Sequence, residues 1–191
     1  MKVLVACEFS GVVRRAFAAR GHTAVSCDFL PSLDQSDMHY QGDVLDIIHE
    51  DWDLMVAHPP CTYLCNSGVR WLTGKDAKPG RWESMEEAAG FFMFLLQQEH
   101  ITKICVENPV PHKHAALPPY SQLIQPWQFG HTTKKGTCLW LKGLPNLEPT
   151  DIIPIENRVP SIHMMGQTKD RPLKRSITYD GIAAAMAQQW G

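Results

Sequence analysis

Short apolar runs alternate with amphipathic stretches along the first half of the chain. Continuous runs that favour buried strands lie at residues 3–7, 23–27, 54–57 and 103–106. Apolar positions at helical spacing predict helices over residues 12–18 and 84–99, with Ser10 as the cap of the first helix and Gly21 as its stop. This order of elements predicts βαβ units, and therefore an α/β fold with a mainly parallel sheet flanked by helices.

The second half is richer in proline and its pattern is less regular. It predicts a strand over residues 137–141 and a C-terminal helix over residues 181–190. Residues 62–82 show no clear periodicity and contain three glycines and four basic residues, Arg70, Lys75, Lys78 and Arg81. Loops of this length are usually lids or binding loops, so we expect a mobile loop here.

Composition narrows the class of protein. The chain has 191 residues, of which 44% are hydrophobic and 20% charged, so we expect a single folded domain over residues 1–191. The N-terminus does not have the pattern of a signal peptide, and no run reaches the roughly 18 apolar residues of a membrane span. We therefore expect a cytoplasmic protein with six reduced cysteines and no membrane partner. The formal net charge of -2 gives no global attraction to nucleic acid.

Polar and reactive residues follow four of the predicted strands. These strand ends carry Glu8-Phe9-Ser10-Gly11, Asp28, His58-Pro59-Pro60-Cys61 and Glu107-Asn108-Pro109. Ligands of open α/β sheets bind beyond the carboxyl ends of the strands, so this edge of the sheet is the predicted site.

Cys61 and Glu107 are the candidates for chemistry at this edge. A cysteine held on a rigid turn after two prolines is accessible to a ligand, as thiolate chemistry requires. Glu107 ends the next strand along the chain, which would lie beside Cys61 in a parallel sheet, and this pairing is typical of covalent catalysis with a general acid. The residues alone also allow a buried structural thiol and a solvated acid.

These motifs resemble those of the cytosine-5 DNA methyltransferases, in the same order and on the same elements. Pro59-Pro60-Cys61 resembles the cysteine motif of that family, and Glu107-Asn108 lies 46 residues after Cys61 and resembles the glutamate motif. Phe9-Ser10-Gly11 resembles the start of the cofactor loop, and the closing segment around Thr178 resembles the last motif. Small phage and prophage-type members look most similar, and the resemblance covers nearly the whole chain.

The resemblance implies a Rossmann-like fold and S-adenosylmethionine as the cofactor, with no metal. It implies that the Cys61 thiolate adds to carbon 6 of cytosine while Glu107 stabilises or protonates ring nitrogen 3. Asp28 would hold the ribose hydroxyls and Asp43 the adenine amino group. The implied cofactor-binding residues are Phe9, Ser10, Gly11, Asp28, Asp43, Pro59 and Thr178. The implied substrate-binding residues are Pro60, Asn108, Lys134 and Lys135.

The chain departs from the family in three places. The cofactor loop reads Phe9-Ser10-Gly11-Val12-Val13, with valine where many members have a further glycine. The usual Gln-x-Arg-x-Arg motif is not evident, and Lys134 and Lys135 lie in its place. Only about 40 residues separate Lys135 from Thr178, fewer than the roughly 50 of a separate recognition domain. That stretch includes Arg158, Lys169, Arg171, Lys174 and Arg175, which predict phosphate contacts without readout of base sequence.

Several functions fit these features. The leading hypothesis is methyl transfer to cytosine in DNA, with low sequence specificity or with a protein partner for targeting. Methylation of a free or single-stranded pyrimidine nucleotide would explain both the small size and the mild charge. Thymidylate-synthase-like enzymes also use a cysteine after prolines, but Glu107-Asn108-Pro109 and the strand-end acids favour the methyltransferases. A catalytically inactive module that binds cofactor or nucleic acid is a further alternative.

Overall fold

A seven-stranded sheet organises the chain in a computed structural model that describes residues 1–159 and 175–191. The strands run in the order β3-β2-β1-β4-β5-β7-β6, and β7 alone among them runs opposite to the other six. The strands are β1 Lys2–Ala6, β2 Thr23–Asp28, β3 His39–Gln41, β4 Leu54–Ala57, β5 Lys103–Pro109, β6 Gln122–Ile124 and β7 Thr137–Lys142. The helices of the described ranges are α1 Val12–Ala18, α2 Arg81–Leu96 and α3 Asp180–Trp190.

Helices cover both faces of the sheet, because successive strand residues point to opposite sides. Val3 and Val5 pack with α1 and α3 in one apolar cluster. Leu4 and Ala6 pack with α2 in the other. The central strands are therefore buried on both faces, and polar ligands can reach them only at the strand ends.

The predicted α/β fold with a mainly parallel sheet is confirmed, and all five predicted strands form. The strand predicted at residues 103–106 is longer than expected, so Glu107 and Asn108 lie inside β5. Two strands of three residues, β3 and β6, were not predicted. Within residues 1–159 and 175–191, no helix has the length and apolar character needed to cross a membrane.

Helix α3 starts against the chain segment around Phe129. The Gly181 N–H donates to His131 Nε2 at 3.0 Å, and a Cβ on Gly181 would overlap the carbonyl oxygen of Phe129. Gly181→Ala is therefore expected to lower the free energy of unfolding by about 1–3 kcal/mol, as overpacking typically does. Urea unfolding measures this change.

Gly90→Ala is the matched control, because Gly90 lies in the exposed interior of α2 with open space around it. Alanine there is expected to stabilise the protein by about 0.5–1 kcal/mol through helix propensity. Equal effects of the two substitutions would contradict the close packing at Gly181.

Candidate active site

The carboxyl ends of β1 and β4 border the main cavity. From β1 the chain moves outward through β2 and β3, whereas β4 and β5 extend on the other side, so the sheet reverses its order between β1 and β4. Such a reversal leaves a crevice in which ligands of α/β proteins bind. The cavity here has a volume of about 830 Å³, which falls within the usual range for small-molecule sites.

The turn after β1 is held by Glu8. Its buried carboxylate accepts hydrogen bonds from the N–H of Val13 at 2.7 Å and of Arg14 at 3.2 Å, and from Ser10 Oγ at 3.1 Å. The N-cap residue of α1 is Gly11, with φ 68°, and not Ser10 as expected. Ser10 still supports the start of the helix, because its Oγ accepts from the Val12 N–H at 3.4 Å, and the Glu8 carboxylate satisfies the next two N–H groups.

Arg14 fixes the loop that follows Asp28. Its buried guanidinium donates from Nε to Ser26 Oγ at 3.1 Å and from Nη1 to Ser36 Oγ at 2.9 Å, and Nη2 pairs with the Asp34 carboxylate. Burial tends to raise the pKa of Asp34, but hydrogen bonds from Ser32, Arg15 and Arg14 hold it well below its usual range. This network orders the cavity wall beside Asp28.

Five of the seven predicted cofactor-binding residues line the cavity: Phe9, Ser10, Asp28, Pro59 and Thr178. Asp28 Oδ1 accepts from the Leu30 N–H at 2.9 Å, and its Oδ2 has no hydrogen bond within the described part of the chain. Gly11 and Asp43 are not among the lining residues. Asp43 Oδ1 instead accepts from the Leu45 N–H at 3.0 Å at the start of a short 3-10 turn.

Asp43 nevertheless lies near the cavity. The pKa of Cys7, a cavity-lining thiol with φ 58° at the end of β1, is raised by burial first and then by the charges of Asp28 and Asp43, among others. The Gly42 N–H donates to the Asp28 carbonyl at 3.0 Å, so Asp43 directly follows a residue that contacts Asp28.

Cys61 and Glu107 line the same cavity. Ala57 of β4 pairs with Val106 of β5, so Glu107 lies one step beyond this pair, beside His58. His58 Nδ1 is 3.2 Å from Glu107 Oε2. Burial tends to raise the pKa of Glu107, but the hydrogen bond from His58 and the charges of Lys135 and His58 lower it overall. The carboxylate is thus ionised at neutral pH, and the sequence reasoning missed the part that His58 plays in this.

Three of the four predicted substrate-binding residues line the cavity, and the fourth is buried away from it. Pro60, Lys134 and Lys135 line the cavity, and Lys135 Nζ donates to the Arg175 carbonyl at 2.9 Å. Asn108 is fully buried, its amide donates to the carbonyl of Pro109, and it is not a lining residue.

Residues 62–82 pack more closely than expected of a mobile loop. Leu64 and Leu72 are buried, and residues 66–71 form a 3-10 helix. Arg81 donates to the Thr62 carbonyl at 2.7 Å, and Arg70 and Lys78 stack on the ring of Trp71. The segment thus forms a wall of the cavity.

Of the predicted phosphate-binding patch, Arg158 and Arg175 are described, and Lys169, Arg171 and Lys174 lie outside the described residues. Arg158 stacks on the Trp127 ring at 3.5 Å, and Arg175 lines the cavity. Residues 1–159 and 175–191 contain no cluster of His, Cys, Asp and Glu able to hold a metal ion.

Known proteins resemble this chain in structure. No protein-family model matches it, and no curated protein gives a significant match. The Entamoeba histolytica methyltransferase EhMeth gives a TM-score of 0.51 at 14% identity, over 82% of this chain and 59% of that chain. An E. coli prophage protein assigned as a DNA modification methyltransferase gives a TM-score of 0.49 at 14% identity, over 81% of this chain and 52% of that chain. The S. pombe Dnmt2 methyltransferase gives a TM-score of 0.47 at 14% identity, over 76% of this chain and 51% of that chain.

The chain spans 51–59% of the length of these three proteins. At this level of identity the likeness to EhMeth shows a shared fold. The predicted fold class, the Rossmann-like fold of the adenosylmethionine-dependent methyltransferases, is thereby confirmed.

Proposed function

We propose that the chain is a single-domain member of the cytosine-5 DNA methyltransferases and transfers a methyl group from S-adenosylmethionine to carbon 5 of cytosine. The observation that carries the proposal is that Cys61, in the turn after β4, and Glu107, on the neighbouring strand β5, line one cavity at the reversal of strand order. Their sequence motifs and their positions in the fold support the same chemistry.

The cavity suits the cofactor in size and polarity. Asp28 would offer its second carboxylate oxygen to the ribose hydroxyls, and Asp43, which is not a lining residue, would accept from the adenine amino group. Phe9, Ser10 and Gly11 would form the floor, and Pro59 and Thr178 would close the pocket between the two substrates. When bound, S-adenosylmethionine supplies an electrophilic methyl group on a sulfonium, so the reaction needs no metal.

The side chains of this protein activate the base. Carbon 5 of cytosine is a poor nucleophile until the sulfur of Cys61 bonds to carbon 6 and pushes electrons toward carbon 5. Negative charge then grows around nitrogen 3, which Glu107 neutralises by passing it a proton. Because Glu107 is ionised in the free protein, it must first take up a proton, and His58 Nδ1, 3.2 Å from its carboxylate, would relay that proton. After transfer, a base removes the proton of carbon 5 and Cys61 leaves.

We propose DNA as the acceptor. Lys134, Lys135 and Arg175 at the cavity lining provide positive charge for a phosphate backbone. A cytosine inside duplex DNA would have to be flipped into the cavity. A protein partner would supply any sequence targeting.

A single pyrimidine nucleotide is the second candidate acceptor. The same cations lie at the cavity that contains Cys61, so they can equally bind the phosphate of one nucleotide that enters it. An inactive module that only binds cofactor or nucleic acid is a weaker candidate, because both Cys61 and Glu107 are present and face the cavity.

An acceptor panel tests the proposal. The protein is incubated with methyl-labelled S-adenosylmethionine and, in parallel, duplex DNA, single-stranded DNA or deoxycytidine monophosphate. We expect label at carbon 5 of cytosine in DNA. Label in the nucleotide alone would support the second candidate, and cofactor binding without transfer to any acceptor would refute methyl transfer and favour the binding module.

A further inference from the structure

Glu8 is a buried carboxylate that lines the main cavity. Its exposed fraction is 4%, and its oxygens accept from the N–H groups of Val13 and Arg14 and from Ser10 Oγ. These three donor groups are uncharged. Within residues 1–159 and 175–191, no lysine, arginine or histidine side chain forms an ion pair with Glu8. Its negative charge is therefore held by neutral donors, without a counterion among these residues.

A buried charge without a counterion is costly to the folded state. Capping a helix does not require this cost, because the side chains of serine, threonine and asparagine accept the same kind of hydrogen bond. Glu8 also occupies the N–H groups of Val13 and Arg14, so a phosphate group of a ligand cannot use them and would meet a negative charge instead. This part of the cavity therefore favours a positively charged group of a ligand.

The charged residues that line the cavity are segregated along the sheet. The acids Glu8 and Asp28 stand at the ends of β1 and β2, on one side of the reversal of strand order. The third lining acid, Glu107 of β5, is paired with His58. The lining lysines and arginines all belong to segments that follow β4 in the chain: Arg81, Lys134, Lys135 and Arg175. A cationic ligand is therefore favoured at β1 and β2, and an anionic one on the other side.

The strand order places Glu8 between the two ends of the proposed reaction. Strand β1 pairs with β2 on one side and with β4 on the other. Asp28, which is proposed to bind the ribose, ends β2, and Cys61 follows β4. In S-adenosylmethionine the sulfonium is bonded both to the ribosyl group and to the methyl group that is transferred. The part of the cofactor that would cross the end of β1 is therefore its positively charged part.

We propose that Glu8 is a specificity-determining residue that binds the positive charge of the methionine portion of S-adenosylmethionine, an inference that rests on the function proposed above. This portion carries two cations, the sulfonium and the α-ammonium group. Glu8 thereby selects this cofactor over adenine nucleotides that have a phosphate, or no charge, at the same place.

Three ligands that share the adenosine portion and differ in charge test the role of Glu8. S-adenosylmethionine has both cations, S-adenosylhomocysteine has the ammonium alone, and methylthioadenosine has neither. Glu8→Gln is expected to weaken binding of S-adenosylmethionine by about 10–100-fold, the usual effect of losing a charged partner, and to change that of methylthioadenosine by less than about threefold. Isothermal titration calorimetry measures these affinities without any methyl transfer. A loss shared by S-adenosylhomocysteine assigns the contact to the ammonium, and a loss confined to S-adenosylmethionine assigns it to the sulfonium.

Two further variants separate charge from structure. Glu8→Asp keeps the negative charge and should retain the preference for S-adenosylmethionine over methylthioadenosine, which remains measurable if Glu8→Gln does not fold. Glu50→Gln is the matched control, because Glu50 is an exposed acid that pairs with Lys2 and does not line the cavity. It should leave all three affinities unchanged.

Three results would overturn the role of Glu8: unchanged binding of S-adenosylmethionine by Glu8→Gln, equal weakening of all three ligands, or loss of the preference in Glu8→Asp. Equal weakening would show that Glu8 only holds the turn after β1. A wild-type protein that binds none of the three ligands would instead refute the cofactor, and with it the methyl transfer itself. The two failures can be told apart, because the first leaves binding by the wild-type protein intact.

Discussion

Cys61→Ser is expected to abolish covalent trapping of 5-fluorocytosine DNA and to slow methyl transfer by at least about a thousandfold. Removal of an enzyme's nucleophile commonly has effects of this size or larger. A serine hydroxyl is a far weaker nucleophile than a thiolate and does not ionise near neutral pH. The adduct is measured by denaturing gel electrophoresis and intact-protein mass spectrometry.

Two controls accompany this variant. Cofactor binding by calorimetry should stay within a few-fold of wild type, because Cys61 lies on the acceptor side of the proposed pocket. Cys138→Ala removes a buried thiol of β7 that does not line the cavity, so it should retain the adduct. An adduct that forms in Cys61→Ser would show that another group attacks carbon 6.

The strands that build the site could be predicted because they are buried on both faces. Continuous apolar runs identified β1, β2, β4 and β5, and the polar residues after them identified the edge at which ligands bind. The strands β3 and β6 have three residues each and no apolar run. β3 is held by pairing with β2 and by a hydrogen bond of 2.9 Å between Ser26 and His39, which local sequence does not encode.

The contacts that tune the site were harder to predict than its residues. The His58–Glu107 pair depends on the register of β4 against β5, and register is a property of the assembled sheet. Glu8 accepts a hydrogen bond from the first turn of α1 although it lies on the other side of a turn. Its position between a strand and a helix was a usable sequence signal for this role. The turn that carries Cys61 is closed by the N–H groups of Leu64 and Cys65, which donate to the Cys61 carbonyl, and the two prolines before it were a signal for such a turn.

Glu107→Gln is expected to reduce methyl transfer by about 10²–10⁴-fold, the usual contribution of a general acid. Glutamine keeps the shape of the side chain and can donate a hydrogen bond to nitrogen 3, but it cannot pass a proton. It also removes the negative charge that contributes to the raised pKa of Cys61, so formation of the thiolate becomes easier. The variant should therefore lose turnover while its thiol becomes no less reactive.

Single-turnover transfer and alkylation of Cys61 measure these two effects on the same preparation. Glu99→Gln, an exposed acid beyond the end of α2, is the matched control and should leave both rates unchanged. If Glu107 only held the strand ends in place, transfer and alkylation would fall together. The proposed mechanism instead requires methyl transfer to fall while alkylation of Cys61 does not. The Glu107 carboxylate contacts His58, and its negative charge contributes to the raised pKa of Cys61.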